Sequence, residues 1–307
     1  MKKILLFVLL IILIPLLLTN FKEGLNTISK LKYGIYSNKQ IRVKRLEKNR
    51  IDSVSLEDYV TGVVAGEMPA SFSDEALKAQ AVASRTYVLK RMINSNGDYD
   101  VVDSVSNQVY LDDDDMKKKW NNKYDEYLKK IKDVVLNTRG EVILYKNNLI
   151  DAMFFSTSNG YTENSVDVFS GDLPYLKSVD SKWDENESPS YKSTVVVSKK
   201  DFLSKLSFDV NSDIKINIDE KTSTGRVKFI TINDKKFKGT QIRSTFGLKS
   251  TSFNITIDDN NVVFNVLGFG HGVGMSQYGA NGMAKNGYSY KDILKHYYSN
   301  CDIKKIN

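Results

Sequence analysis

Pro69 falls between two apolar helical patterns, and that break limits what the chain can build. Leu56, Tyr59, Val60, Val63 and Val64 recur at i, i+3, i+4, i+7 and i+8, a stripe one helix face wide. Ser55, with Asp58 three residues on, fits the N-cap of that helix. Gly62, Ala65 and Gly66 thin the side chains before Glu67, and Pro69 stops the helix from continuing. Ser73 can cap a second helix, whose first turn carries Asp74 and Glu75 where the helix dipole favours acids. Leu56–Leu89 is therefore expected to form helix, break, helix. Glu67 sits at the break. It either caps the loop or is a carboxylate fixed in position and reachable from a cleft.

Around this stretch the patterning alternates between strand and helix. Gln40–Val54 reads as a strand pair turning near Asn49. Asp112 to Asp115 precede Lys117 to Lys119; without the alternating ligands and glycine of a calcium loop, the run reads as a solvated helix start. Tyr124–Asn137 has helical spacing, and Glu141–Tyr145 and Leu149–Ser156 read as strands. The loop from Phe155 to Thr162 is small and polar, suited to offering hydroxyls such as Ser156 and backbone donors to a sugar. Tyr175 and Trp183 follow in loop context, either as flat surfaces for sugar rings or as ordinary packing. A smaller subdomain of helix and strands is expected near 195–250, two further strands over 254–265, and a closing helix over Tyr288–Tyr298. The fold class expected is α+β: a helical core packed with antiparallel β-sheets, plus a small α/β subdomain.

Residues 4–18 form an apolar run behind Lys2 and Lys3. Extended to residue 21, it approaches the roughly 17–20 residues that span a bilayer. The lysines predict a cytoplasmic N-terminus, with the rest outside. No small-x-small cleavage pattern follows, so an uncleaved single-pass anchor is favoured over a signal peptide. The expected organisation is an anchor at 1–21, a tether at 22–39 and an extracytoplasmic catalytic domain at 40–307. A net charge of +7 points to an anionic neighbourhood. Placed outside the membrane, that is cell wall and not nucleic acid. The one cysteine, Cys301, excludes an intrachain disulfide framework and a Cys-cluster metal site.

Gly268–Ala280 carries His271 between glycines, followed by Ser276 and Gln277. It lacks the Lys-Ser/Thr of a phosphate loop. Glycines let a backbone approach closely, and His271, Ser276 and Gln277 could serve sugar hydroxyls or an N-acetyl group. Equally, the run could be a tight turn whose histidine satisfies buried carbonyls. His296, in the closing helix, reads as structural. On the second helix, Gln80 and Arg85 could bind sugar or N-acetyl oxygens, or Arg85 could pair with an Asp or Glu.

The run EALKAQAVASRTY (residues 75–87) and GHGVGMSQYGA (residues 270–280) resemble the stage II sporulation protein D family, and the likeness extends over most of the chain. It implies a peptidoglycan lytic transglycosylase whose catalytic acid/base is Glu67, cutting between MurNAc and GlcNAc, preferably in peptide-stripped strands, to leave a 1,6-anhydro sugar. An ordinary glycosidase needs two carboxyls about 5–5.5 Å or about 6.5–9.5 Å apart. Here the substrate's own C6 hydroxyl is the nucleophile, so one suffices, provided it holds its proton near neutral pH. Partial burial among Val63, Ala65 and Met68 favours that. The likeness further implies engulfment during endospore formation, on the mother-cell side of the septum. Implied partners are a membrane-anchored amidase (stage II sporulation protein P) and a polytopic membrane protein (stage II sporulation protein M). It also leaves a different-class alternative, a non-catalytic wall-binding enhancer of an amidase. Many members have His where this chain has Phe155, with nearby Cys, forming a zinc site. Phe155, Ser158 and Tyr161 cannot replace that set, so no metal or other cofactor is expected.

Overall fold

The computed structural model describes residues 40–169 and 171–306. The expected anchor at 1–21 and tether at 22–39 lie outside the described residues. Among those described, no helix is long and apolar enough to cross a membrane. Helices alternate with small sheets that are mainly antiparallel, an α+β arrangement. The chain divides into two compact units, one drawn from residues up to 70, 81–151 and 301 onward, the other from 71–80 and 152–300.

In the first unit, strands Gln40–Arg45 and Arg50–Ser55 pair antiparallel around a turn where Asn49 has φ 48°, as the alternation leads one to expect. Helix α1, Leu56–Glu67, follows directly, with the Ser55 hydroxyl accepting from Asp58 N–H. Its stripe of Leu56, Tyr59, Val60, Val63 and Val64 is buried. Helix α2, Asp74–Asn94, begins after the Pro69 break, in the second unit's segment, and continues in the first. The strand Glu141–Tyr145 is flanked antiparallel by Asn148–Leu149 and by Asp302–Lys305. Leu149–Ser156 is not one strand. Only Leu149 at its start and Phe154–Phe155 near its end are in strands.

Asp112 caps the helix Asp113–Trp120 through a capping box with Asp115. Asp113 and Asp114 are exposed, as a solvated helix start requires. Asp112 and Asp115 are not: they bond the buried Arg45 at 2.9 and 2.5 Å, and Lys48 touches both. Arg45 also takes Asp103 at 2.7 Å and Asp52 at 3.1 Å. Four carboxylates around one guanidinium satisfy its desolvated donors. Arg45 lies 67 residues before Asp112, so no local pattern reveals the cluster.

In the second unit, a sheet ordered Phe253–Ile257, Asn261–Leu267, Lys192–Ser198 and another ordered Lys235–Lys238, Val227–Ile232, Ile216–Lys221 share helices Lys199–Lys205 and Gly239–Phe246. Their common core is aromatic: Phe202 stacks on Phe246 at 5.1 Å, and Phe246 meets Phe264 at 5.0 Å. Helices Gln277–Lys285 and Tyr290–Tyr297 follow.

Candidate active site

Glu67 is the last residue of α1 and is half-buried. Val109 N–H donates to its Oε1 at 2.7 Å. That bond exists because the Val109–Leu111 segment runs tight against α1, and the two glycines one turn apart make room for it. A Cβ on Gly66 would come within 2.5 Å of Val109 O, and one on Gly62 within 2.5 Å of Leu111 O. Leu111 N–H in turn bonds Gly62 O at 3.2 Å. Lys119 donates to Ala65 O at 2.7 Å, placing a cation at the helix's C-terminal end, beside Glu67, where the dipole favours it. Burial lowers the Lys119 pKa while the Glu67 charge holds it up. We expect Gly66→Ala to push the 109–111 segment off α1. It should cost about 1–3 kcal/mol, as overpacking does, and slow any reaction that Glu67 carries. A denaturation midpoint unchanged from the wild type would contradict this.

Arg85 lies wholly buried in the same unit. It donates to both oxygens of Glu57, at 3.0 and 2.6 Å, and to the carbonyls of Glu141 and Val135 at 3.2 and 3.4 Å. Of the two roles open to it in sequence, pairing is the one its surroundings fill.

The other six candidates, Gln80, Ser156, Tyr175, His271, Ser276 and Gln277, lie in the second unit. The two loops expected to flank a substrate are bonded to each other, through Thr157 with Phe269 and Glu163 with Val273, and Met275–Ser276 pairs parallel with Phe154–Phe155. Their hub is Asp184, wholly buried, which accepts from Ser158 N–H and Oγ (both 2.9 Å), Ser181 Oγ (2.7 Å) and Ser276 Oγ (2.5 Å). Burial raises the Asp184 pKa despite these donors. Ser276 also caps the following helix by accepting from Gly279 N–H. Gly279 is small for the same hub: a Cβ there would stand 2.6 Å from Asp184 Oδ2. Gln277 reaches Gln80 at 3.5 Å, both buried. The Ser156 carbonyl accepts from Tyr278 N–H and Ser276 Oγ. Tyr175 is buried and Trp183 half-buried, edge-on to Tyr288 and His296. Of the two roles left open in sequence, loop packing is the one that their neighbours fill. The glycine-rich run approaches its own chain closely: Gly272, at φ 89°, has Arg226 Cζ 2.7 Å from where a Cβ would be.

His271 lines a cavity of about 270 Å³, shared with Arg226 and Arg243. Its Nδ1 accepts from Val273 N–H at 3.1 Å, so the ring proton resides on Nε2. Burial, then the two guanidiniums, lower its pKa to about 4, leaving a neutral ring at pH 7. Its neighbours Phe155 and Phe169 meet it at 5.7 and 5.6 Å, and Phe155 is itself buried. Behind the cavity, Glu163 and Arg226 form a buried pair at 3.2 Å. Burial pushes Glu163 up to about 7 in spite of Arg226. Neither Asp184 nor this pair was singled out in the sequence. Each is one charged residue in an ordinary loop or strand pattern, and only its burial marks it.

A family described as SpoIID, stage II sporulation protein, matches residues 44–145. The chain is 42% identical over 273 residues to the stage II sporulation protein D of Bacillus amyloliquefaciens, covering 87% of this chain and 79% of that one. The protein of the same name from Bacillus subtilis (strain 168) is 42% identical over 274 residues, with the same coverage. An amidase enhancer of Bacillus subtilis (strain 168) is 31% identical over 296 residues, covering 77% of this chain and 39% of that one.

Proposed function

Because the chain belongs to the stage II sporulation protein D family, a family of sporulation proteins, we propose that it is a lytic transglycosylase acting on peptidoglycan glycan strands during engulfment. The observation that carries this reading is Glu67, a half-buried carboxyl at a helix end, oriented by Val109 N–H at 2.7 Å. In its protonated form the Glu67 carboxyl donates its proton to the glycosidic oxygen as the bond from muramic acid C1 to that oxygen breaks. The GlcNAc hydroxyl leaves, and positive charge develops at C1. The C6 hydroxyl of the same muramic acid then bonds to C1 while Glu67 takes the C6 proton. The 1,6-anhydro ring closes, no water is consumed, and Glu67 is left protonated for the next turnover. One group serves as acid and then base, so no second carboxylate is required.

Residues 1–21 would anchor the protein, with its body outside the membrane, beside an amidase and a polytopic membrane partner of the stage II sporulation protein P and M kinds. The test of the reaction is incubation of the purified protein with peptide-stripped glycan and mass analysis of the ends. Products with 1,6-anhydro termini support it, whereas reducing ends alone would sink it.

The similarity to an amidase enhancer favours a second reading, a wall-binding protein that stimulates an amidase without cutting glycan. Under that reading Glu67→Gln leaves amidase stimulation intact and the wild type releases no anhydro sugar.

A further inference from the structure

Gln108 is wholly buried, yet its Nε2 makes no hydrogen bond. Its Oε1 accepts from the hydroxyl of Tyr59, also wholly buried, at 3.0 Å. A buried donor left unmet costs stability, and an apolar side chain of the same shape would carry no such cost. Packing alone therefore does not account for a glutamine here. The N–H that reaches Glu67 Oε1 at 2.7 Å is that of Val109, so it lies in the peptide plane joining Gln108 to Val109. How Gln108 is held decides where that N–H points.

The segment is anchored on either side of this peptide. Asn107 accepts from Val102 N–H at 2.9 Å and donates to the Tyr87 hydroxyl at 3.1 Å. Leu111 N–H bonds Gly62 O at 3.2 Å. Those bonds fix the path of the chain, but the peptide plane between them can still turn about its flanking single bonds. Tyr59 removes that freedom. Its hydroxyl holds Gln108 while its ring stacks on Tyr110 at 5.4 Å, and Arg45 lies over the Tyr110 ring at 5.0 Å. Burial raises the Tyr59 pKa well above its usual value, with Tyr87, Glu67 and Tyr110 adding to it, so the hydroxyl remains a donor. Tyr59 and Glu67 both belong to α1, so one helix carries the acid and the side chain that aims its donor.

We propose that Tyr59 and Gln108 are positioning residues: their bond sets the Gln108–Val109 peptide so that Val109 N–H holds Glu67 in the aim that proton transfer to a glycosidic oxygen needs. The assignment rests on the glycan reading above. Both side chains act through that N–H, and the unmet Gln108 donor is the stability given up for it.

The test is the double variant Tyr59→Phe with Gln108→Met, which replaces both partners by apolar groups of similar shape. Its denaturation midpoint should equal or exceed that of the wild type. Gln-Val occurs once in the sequence and Met-Val nowhere, so labelling the carbonyl of the first residue and the nitrogen of the second isolates the Val109 amide by NMR in both proteins. That amide proton should move upfield in the variant as its bond to the carboxylate slackens, while the Leu111 amide stays in place. An unmoved Val109 resonance overturns the proposal. If the Leu111 resonance moves as well, the whole segment has left α1 and the pair is only structural, which overturns it equally. Tyr59→Phe alone keeps the ring stacking and should shift Val109 in the same direction, and it decides the matter if the double variant does not fold. On peptide-stripped glycan, kcat of the double variant should fall about tenfold or more with KM unchanged, since a misaimed acid is missed in the transition state and not in binding. An unchanged kcat overturns the link to catalysis. If the wild type cuts no glycan, the transglycosylase reading has failed, and the two amide resonances still decide how Glu67 is held.

Discussion

Glu67→Gln should abolish release of 1,6-anhydro products from peptide-stripped glycan, a loss of about 10³-fold or more. Removing one general acid or base costs about 10²–10⁴-fold, and here one carboxyl performs both transfers. Glutamine keeps an acceptor for Val109 N–H, which now bonds Glu67 Oε1 at 2.7 Å, so the Val109–Leu111 segment should stay on α1. Stability should accordingly remain within about 0.5 kcal/mol of the wild type. Glu67→Asp retains the acid but draws it back by one methylene, and a displacement of about 1 Å costs about 10²-fold. The order wild type, Asp, Gln in rate, with all three folded, identifies a reacting group. A Gln variant that cleaves at the wild-type rate would remove Glu67 from the chemistry, and one that unfolds would make it a structural residue.

Much of the architecture around Glu67 was legible because it is written locally. The stripe from Leu56 to Val64, the Ser55 cap and the Pro69 break define α1 by spacing alone, and α1 ends at Glu67. Tyr124–Asn137 forms over the residues its pattern indicates, for the same reason. Function assigned to individual polar residues was less legible. Ser276, Gln277 and Gly279 look like a ligand loop, but sequence cannot say whether a close approach is to a ligand or to the chain itself. Here the partners are Asp184, 92 residues before Ser276, and Gln80, 197 before Gln277. Arg226 is the converse case. It sits next to an alternating strand and carries no motif, so its unmet donors emerge only when Glu163, Gly272 and His271 converge on it. Single-residue signals were incomplete wherever a distant partner holds the side chain.

Asp184→Ala should be the most destabilising single change in the second unit, at about 3–5 kcal/mol, because it strips a buried hub and strands its four donors. Asp184→Asn should cost less, about 1–2 kcal/mol. Its Oδ1 can still accept from Ser158 N–H, and the hydroxyls of Ser158, Ser181 and Ser276 can rotate to accept from the new amide. The two variants also separate by pH. Burial raises the Asp184 pKa above the ordinary 3.8, so the folded protein holds this proton more tightly than the unfolded chain. Such a group contributes stability that is full below the unfolded value and lost as pH rises through the folded one. Asparagine cannot ionise and lacks that loss, so the penalty of Asp184→Asn should be largest near pH 4 and shrink as pH rises. Denaturation midpoints of the wild type and both variants across that range check it. A penalty for Asn that grows with pH would mean that the hydroxyl and Ser158 N–H donors outweigh burial and that the hub works as a stabilised carboxylate.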